Sequence, residues 1–142
     1  HLIPNVVNAM LYPETHQFRL FGNDYPTPDG SCIRDYVHVS DIAKAHLLAL
    51  EASVAGKVDI FNLGDGSGYS NLEVIRACES ILQTRLDYQV ASRRDGDPPC
   101  LVTSNTLACT ELGWVPDKSD LNQIVSDAVQ WHRDVMPDIL SR

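Results

Sequence analysis

A chain of 142 residues, 44% hydrophobic and 21% charged, is the size of one domain and can bury a real core. Its net charge of −8, with no basic cluster longer than Arg93-Arg94, argues against nucleic acid as a main partner, since phosphate backbones are gripped by positive stripes. No apolar run approaches the roughly 20 residues of a membrane span, and no membrane partner is expected.

The first residues, HLIP, carry neither an initiator methionine nor a basic-apolar leader and run straight into apolar periodicity. That start predicts a piece of a longer protein. Leu2 to Tyr12 reads as a helix, with Pro4 in the first turn, Val6, Val7, Met10 and Leu11 on one side, and Pro13 beyond its end. Gln17 to Phe21 alternates as a short strand, Phe18 and Leu20 one way, Arg19 and Phe21 the other. An aromatic beside a loop, Phe21 serves either the core or a planar ligand. Gly22 to Gly30, with Pro26, Pro28 and Asp29-Gly30, is turn chemistry throughout. It predicts an ordered surface loop beside a site.

Ile33 to Val39 is an apolar run that holds Arg34 and Asp35. Burying charge there is costly unless something requires it, which marks Arg34 as a candidate for an anionic ligand. Ser40 is the predicted N-cap of a helix from Asp41 to about Ala55, whose wide apolar face predicts burial and which Gly56 stops. Val58 to Leu63 (VDIFNL) reads as a second strand. Ser70-Asn71-Leu72-Glu73 is a capping box opening a helix to about Arg85, with Leu72, Ile75, Cys78, Ile81 and Leu82 inward. Leu86 to Ala91 reads as a third strand and Leu101 to Thr103 as a brief extended piece. Asn105 caps a short helix that Gly113 ends, and Asp120 opens the last one, with Leu121, Ile124, Val125, Ala128, Val129 and Trp131 apolar. There is no internal repeat, and the mixed order of strands and helices predicts an α/β or α+β layer structure.

Gly64, Gly66 and Gly68 between strand and helix look like a dinucleotide turn, but Tyr69 stands where the fingerprint needs its last glycine. A tight connection is the expectation. Cys32, Cys78, Cys100 and Cys109 form no CxxC pair and read as buried small hydrophobes of a reducing, cytoplasmic protein. The five scattered histidines predict no metal site. Two loops each set arginine beside aspartate: Arg34 with Asp35, and Arg93-Arg94 with Asp95 and Asp97. Converging, the guanidinium forks would clamp a diphosphate; the alternative is two ordinary ion pairs. No nucleophile–base constellation stands out, and none of the five tyrosines has a lysine four residues on.

HLIP, FGNDYPTPDGSCIRDYVHVSDIAKAH (21–46), FNLGDGSGYSNLEVI (61–75), RRDGDPP (93–99) and ELGW (111–114) resemble, in order, the C-terminal part of UDP-glucose 4-epimerases, of the extended short-chain dehydrogenase/reductase superfamily. The resemblance implies the substrate-binding part of a Rossmann-type α/β fold, residues 1–142 being the UDP-sugar region and the N-terminal NAD-binding domain absent. It implies UDP-glucose/UDP-galactose interconversion through a 4-keto intermediate, NAD carrying the hydride, in a parent expected to be a homodimer. The catalytic groups of such enzymes lie in their N-terminal half, so the chain alone is expected to be inactive. Carried over are Arg34 and Arg94 toward the diphosphate, Tyr36 beside the nucleotide, Asp97 toward the ribose, Arg19 and Phe21 toward uracil, and Leu2 through its backbone. Leu101 stands where relatives place a residue beside the sugar. An epimerase of another UDP-sugar, such as UDP-N-acetylglucosamine, and a non-catalytic nucleotide-sugar-binding module remain as alternatives.

Overall fold

The computed structural model describes residues 1–135. Ten elements follow one another: α1 (Leu2–Leu11), β1 (Phe18–Phe21), β2 (Ile33–Arg34), α2 (Val39–Glu51), β3 (Tyr69–Ser70), α3 (Asn71–Leu82), β4 (Tyr88–Ala91), β5 (Cys100–Leu101), α4 (Thr106–Leu112) and α5 (Leu121–Asp134). β1 pairs in parallel with β4, and β2 lies between antiparallel β3 and parallel β5. The architecture is the expected mixed α/β one.

The main core is where α1, α3 and α5 pack together and onto β1. Val6, Val7, Val74, Cys78 and Val125 are fully buried there, with Phe18 and Leu20 from the inward face of β1. Alternation on β1 therefore turns Arg19 and Phe21 away from the core. A smaller cluster joins α2 and α4 around Trp114, which is fully buried and donates its indole N–H to the Asp41 carbonyl at 2.8 Å.

Caps place the helices that carry the site. Ser70 Oγ accepts from the Glu73 amide at 3.0 Å and Glu73 Oε2 from the Ser70 amide at 2.7 Å, the expected reciprocal box. The same Ser70 hydroxyl donates to Asp29 Oδ2, tying the 22–31 loop to the start of α3. Asp120 caps α5 through the amides of Asn122 and Gln123.

Several expectations fail for identifiable reasons. Ser40 is not the N-cap of α2: His38 is, its Nδ1 accepting from the Ser40 amide at 3.1 Å, so the helix starts at Val39. It also ends at Glu51, before Gly56. Asp41 is buried instead, accepting from the Lys118 amide and the Ser119 hydroxyl. The apolar face of α2 is only partly covered: Ala45 is buried and Leu48 packs on the Trp114 cluster, while Val39, Leu47 and Leu50 are 74%, 64% and 71% exposed. Val58 to Leu63 is no strand, and no described strand pairs with it. Val58 and Ile60 are exposed; only Phe61 and Leu63 turn inward, to the Trp114 cluster. Of the 33–39 run only Ile33 and Arg34 enter a ladder. On α5 the buried residue near the end is His132, while Trp131 is 46% exposed. Cys100 is exposed and Cys109 half-buried, so only Cys32 and Cys78 are buried hydrophobes.

The glycine turn is organised by Asp35. Its carboxylate accepts from the amides of Asp65 (3.0 Å), Gly66 (3.4 Å) and Thr103 (3.1 Å). A Cβ on Gly64 would run into Thr103 and the Asp35 carboxylate, and one on Gly68, at φ +72°, into Val102 and Ile33. The glycines are there because two other segments press against them.

Asp35→Asn is expected to lose about 1–3 kcal/mol of stability, the scale of a buried acceptor removed from its donors. Urea unfolding and faster amide exchange at Asp65, Gly66 and Thr103 would register it. His132 is expected to make the fold acid-sensitive. Burial holds its imidazole below the usual value of 6.5, so the unfolded chain binds a proton first. Stability is then lost as pH falls from the unfolded value toward the folded one. Thermal melts of His132→Phe against the native chain should shift in the variant's favour below pH 6.5.

Candidate functional site

A cleft of about 440 Å³ opens between the start of α1, β1, β2 with the residues just after it, and the 93–99 loop. Its lining includes Leu2, Arg19, Phe21, Arg34, Tyr36, Arg94 and Asp97. Seven of the eight residues singled out in the sequence thus share one cavity. Leu101 does not: its side chain is 60% exposed on β5 and lies outside the lining. It reaches the site only through its backbone, its carbonyl accepting from the Asp35 amide at 3.2 Å.

Each side chain arrives by a different route. Leu2 sits on the first turn of α1, which brings Asn5 into the lining three residues on. Arg19 and Phe21 come from the outward face of β1. That strand pairs with β4 on one edge and with no described strand on the other, which leaves backbone donors and acceptors beside the cavity.

Arg34 and Asp35 are neighbours in sequence but not partners. While Asp35 is taken up by three amides, Arg34 turns to the 93–99 loop. Its Nη1 donates to the carbonyls of Ile33 (2.7 Å) and Pro98 (2.9 Å), and its Nη2 faces Asp97 Oδ1 at 3.4 Å. Those two carbonyls fix the plane of the guanidinium.

Asp97 also binds Arg94, whose Nε and Nη2 each lie 3.0 Å from Asp97 Oδ2. One carboxylate therefore bridges an arginine of β2 and one of the 93–99 loop. The Arg94 guanidinium lies over the Phe21 ring, 4.9 Å from its centroid. Arg93 goes elsewhere, bonding to Asp24 and stacking over Tyr25, so only one of the two adjacent arginines serves the cleft. Of the alternative of two ordinary ion pairs, one part holds, Arg94 with Asp97; Arg34 does not pair with Asp35, and Arg93 pairs with Asp24.

Tyr36 packs against the main core while lining the cleft. Burial pushes its hydroxyl up to about 12, against the opposing pull of Arg34. At neutral pH it is a hydrogen-bond donor and not a base. The sequence reading missed Asn5 and Asn71 in the lining. Asn71 follows the Ser70 cap directly, so its place at the head of a helix was the available signal; Asn5 was signalled by its helical spacing from Leu2.

The glycine turn offers no dinucleotide site: the Asp65 and Gly66 amides that would face a pyrophosphate already hold Asp35. No metal-binding group of histidine, cysteine and carboxylates occurs among the described residues, and no described helix is long and apolar enough to cross a membrane.

Residues 1–64 match the NAD dependent epimerase/dehydratase family. UDP-glucose 4-epimerase of Corynebacterium glutamicum is 48% identical over 128 residues, 90% of this chain and 39% of that protein. That of Halalkalibacterium halodurans is 44% identical over 94% of this chain and 40% of its own. Among solved structures, the Bifidobacterium longum UDP-glucose 4-epimerase in complex with NAD+ and UDP superposes with a TM-score of 0.88 at 33% identity, covering 96% of this chain and 40% of that one. A further UDP-glucose 4-epimerase crystal structure gives 0.86 at 40% identity. The chain spans about 40% of the length of the relatives it matches. By sequence and by backbone, nearly all of it is similar to the C-terminal part of the UDP-glucose 4-epimerases.

Proposed function

We propose that residues 1–142 form the UDP-sugar-binding region of a UDP-glucose 4-epimerase, which interconverts UDP-glucose and UDP-galactose. The observation that carries this reading is the pair of guanidinium groups, Arg34 and Arg94, brought to one carboxylate-sized position in a cleft. Two planar forks around one point suit a diphosphate.

In this reading Arg34 and Arg94 take the phosphates. Asp97, an acceptor only when ionised, takes ribose hydroxyls. The free edge of β1 at Arg19 and Phe21 reads the uracil through backbone groups, and the Leu2 backbone borders the ligand. Tyr36 donates a hydrogen bond and moves no proton. Leu101, exposed and outside the cleft, gives no support for a contact to the sugar. The reaction class needs NAD for hydride transfer. The described residues build no site for it, and we assign it to the part of the relatives' length that this chain does not span.

Arg34→Ala is expected to weaken UDP binding by about 1.5–3 kcal/mol, the worth of a charge-assisted hydrogen bond; calorimetry with the purified protein checks it, and unchanged affinity would remove the reading's foundation. The 142-residue polypeptide, supplied with NAD and UDP-galactose, is expected to produce no UDP-glucose in a coupled assay.

A further inference from the structure

The carboxylate between the two arginines raises a question that the binding reading leaves open. Asp97 Oδ1 faces Arg34 and Oδ2 faces Arg94, at 3.4 Å and 3.0 Å. Among the described residues no other carboxylate pairs with either guanidinium. The position that suits a phosphate is therefore held by the protein's own anion.

We propose that Asp97 is the resident counter-ion of this cradle, that a diphosphate binds by displacing it, and that the displacement makes the site prefer nucleoside diphosphates to bare inorganic diphosphate. The inference rests on the proposed UDP reading and adds to it a source of selectivity.

The argument begins with charge. A diphosphate brought against Arg34 and Arg94 while Asp97 stays would place like charges a few ångströms apart in a cleft where water screens them only partly. The carboxylate must swing out, and the loop allows this. Gly96, at φ +81°, has no atom within 4 Å of where a Cβ would stand, so the chain just before Asp97 is unpacked. The loop beyond it is anchored, with the Pro98 carbonyl on Arg34 and the Pro99 carbonyl on the Ile33 amide at 2.8 Å. The 94–97 turn is itself closed by the Asp97 N–H on the Arg94 carbonyl at 3.3 Å, so the movement is a swing of the Asp97 side chain, and Arg34 keeps its orientation while its counter-ion leaves.

A displaced carboxylate has lost its donors and needs others, because it can only accept. A nucleoside diphosphate brings a pair of ribose hydroxyls beside its phosphates; inorganic diphosphate brings no such neighbouring pair. Asp97 therefore penalises every anion at the cradle and returns the loss only to ligands carrying hydroxyls next to the phosphates.

The test is titration calorimetry of the purified protein with UDP and with inorganic diphosphate, for the native form, Asp97→Asn and Asp97→Glu, with Asp97→Ser standing in should the asparagine variant fail to fold. Removing the charge is expected to tighten inorganic diphosphate by about tenfold, the scale of a relieved like-charge contact, and to lower the preference for UDP by at least that factor. Asp97→Glu, which keeps the charge, should leave inorganic diphosphate weak. If the native protein binds UDP but inorganic diphosphate is no tighter in the neutral variants, the exchange idea is overturned. If the native protein does not bind UDP, the binding reading falls first and this inference with it.

Discussion

A carboxylate seated on backbone amides is the constraint on which the site depends. Asp35 holds the amides of Asp65 and Gly66 from the glycine turn and of Thr103 from the chain leaving β5. Those N–H groups have no ladder to enter, and a partly buried donor left without an acceptor is costly. One carboxylate serves all three. In doing so it draws the turn, β2 and β5 into one piece and fixes the backbone from which Arg34 and Tyr36 project. Asp35 borders the cleft together with Arg34 and Tyr36, but with its carboxylate on the amides it leaves Arg34 to face Asp97.

This explains why the sequence was readable at the level of residues and undecided at the level of pairs. Arg34, Arg94 and Asp97 stood out because charge in a Gly- and Pro-rich or apolar setting needs a reason, and all three reach one cavity. The partners were left open, since adjacency in sequence does not decide adjacency in space. Arg34 meets Asp97, 63 positions on, and Arg93 leaves for Asp24, across the 22–30 loop. Only the fold supplies those distances. The glycines show the same limit. Their clustering was visible, but what presses on them, Thr103, Val102 and Ile33, lies on segments that no local pattern connects.

Helix and strand assignments divide along a similar line. The capping box at Ser70 and the Asp120 cap were legible because their chemistry is local. So was β1, whose alternation is resolved by the packing of α1. The start of α2 was not, since an imidazole served as the cap and left Ser40 inside the helix. The apolar side of α2 and the VDIFNL stretch failed differently. Periodicity tells which face of a segment is suited to burial, not what buries it. Leu47, Leu50, Val58 and Ile60 have that pattern and no described neighbour to cover them.

The electrostatics of the cleft bear on how an acidic chain can hold a dianion. A net charge of −8 would repel such a ligand if charge acted at long range. At physiological salt, exposed charges beyond about 8 Å are largely screened, so the groups that decide are those within a few ångströms. There the protein has set Arg19, Arg34 and Arg94, with the Asp35 carboxylate taken up by backbone amides and Asp97 bound to the arginines themselves. Two guanidinium groups without a counter-ion would repel each other and loosen both loops. Asp97 bonds to both. On the proposed UDP reading, preorganisation and ligand selectivity rest on the same carboxylate: its charge keeps the arginines oriented, and its need for new donors on leaving favours a ligand that carries hydroxyls beside its phosphates.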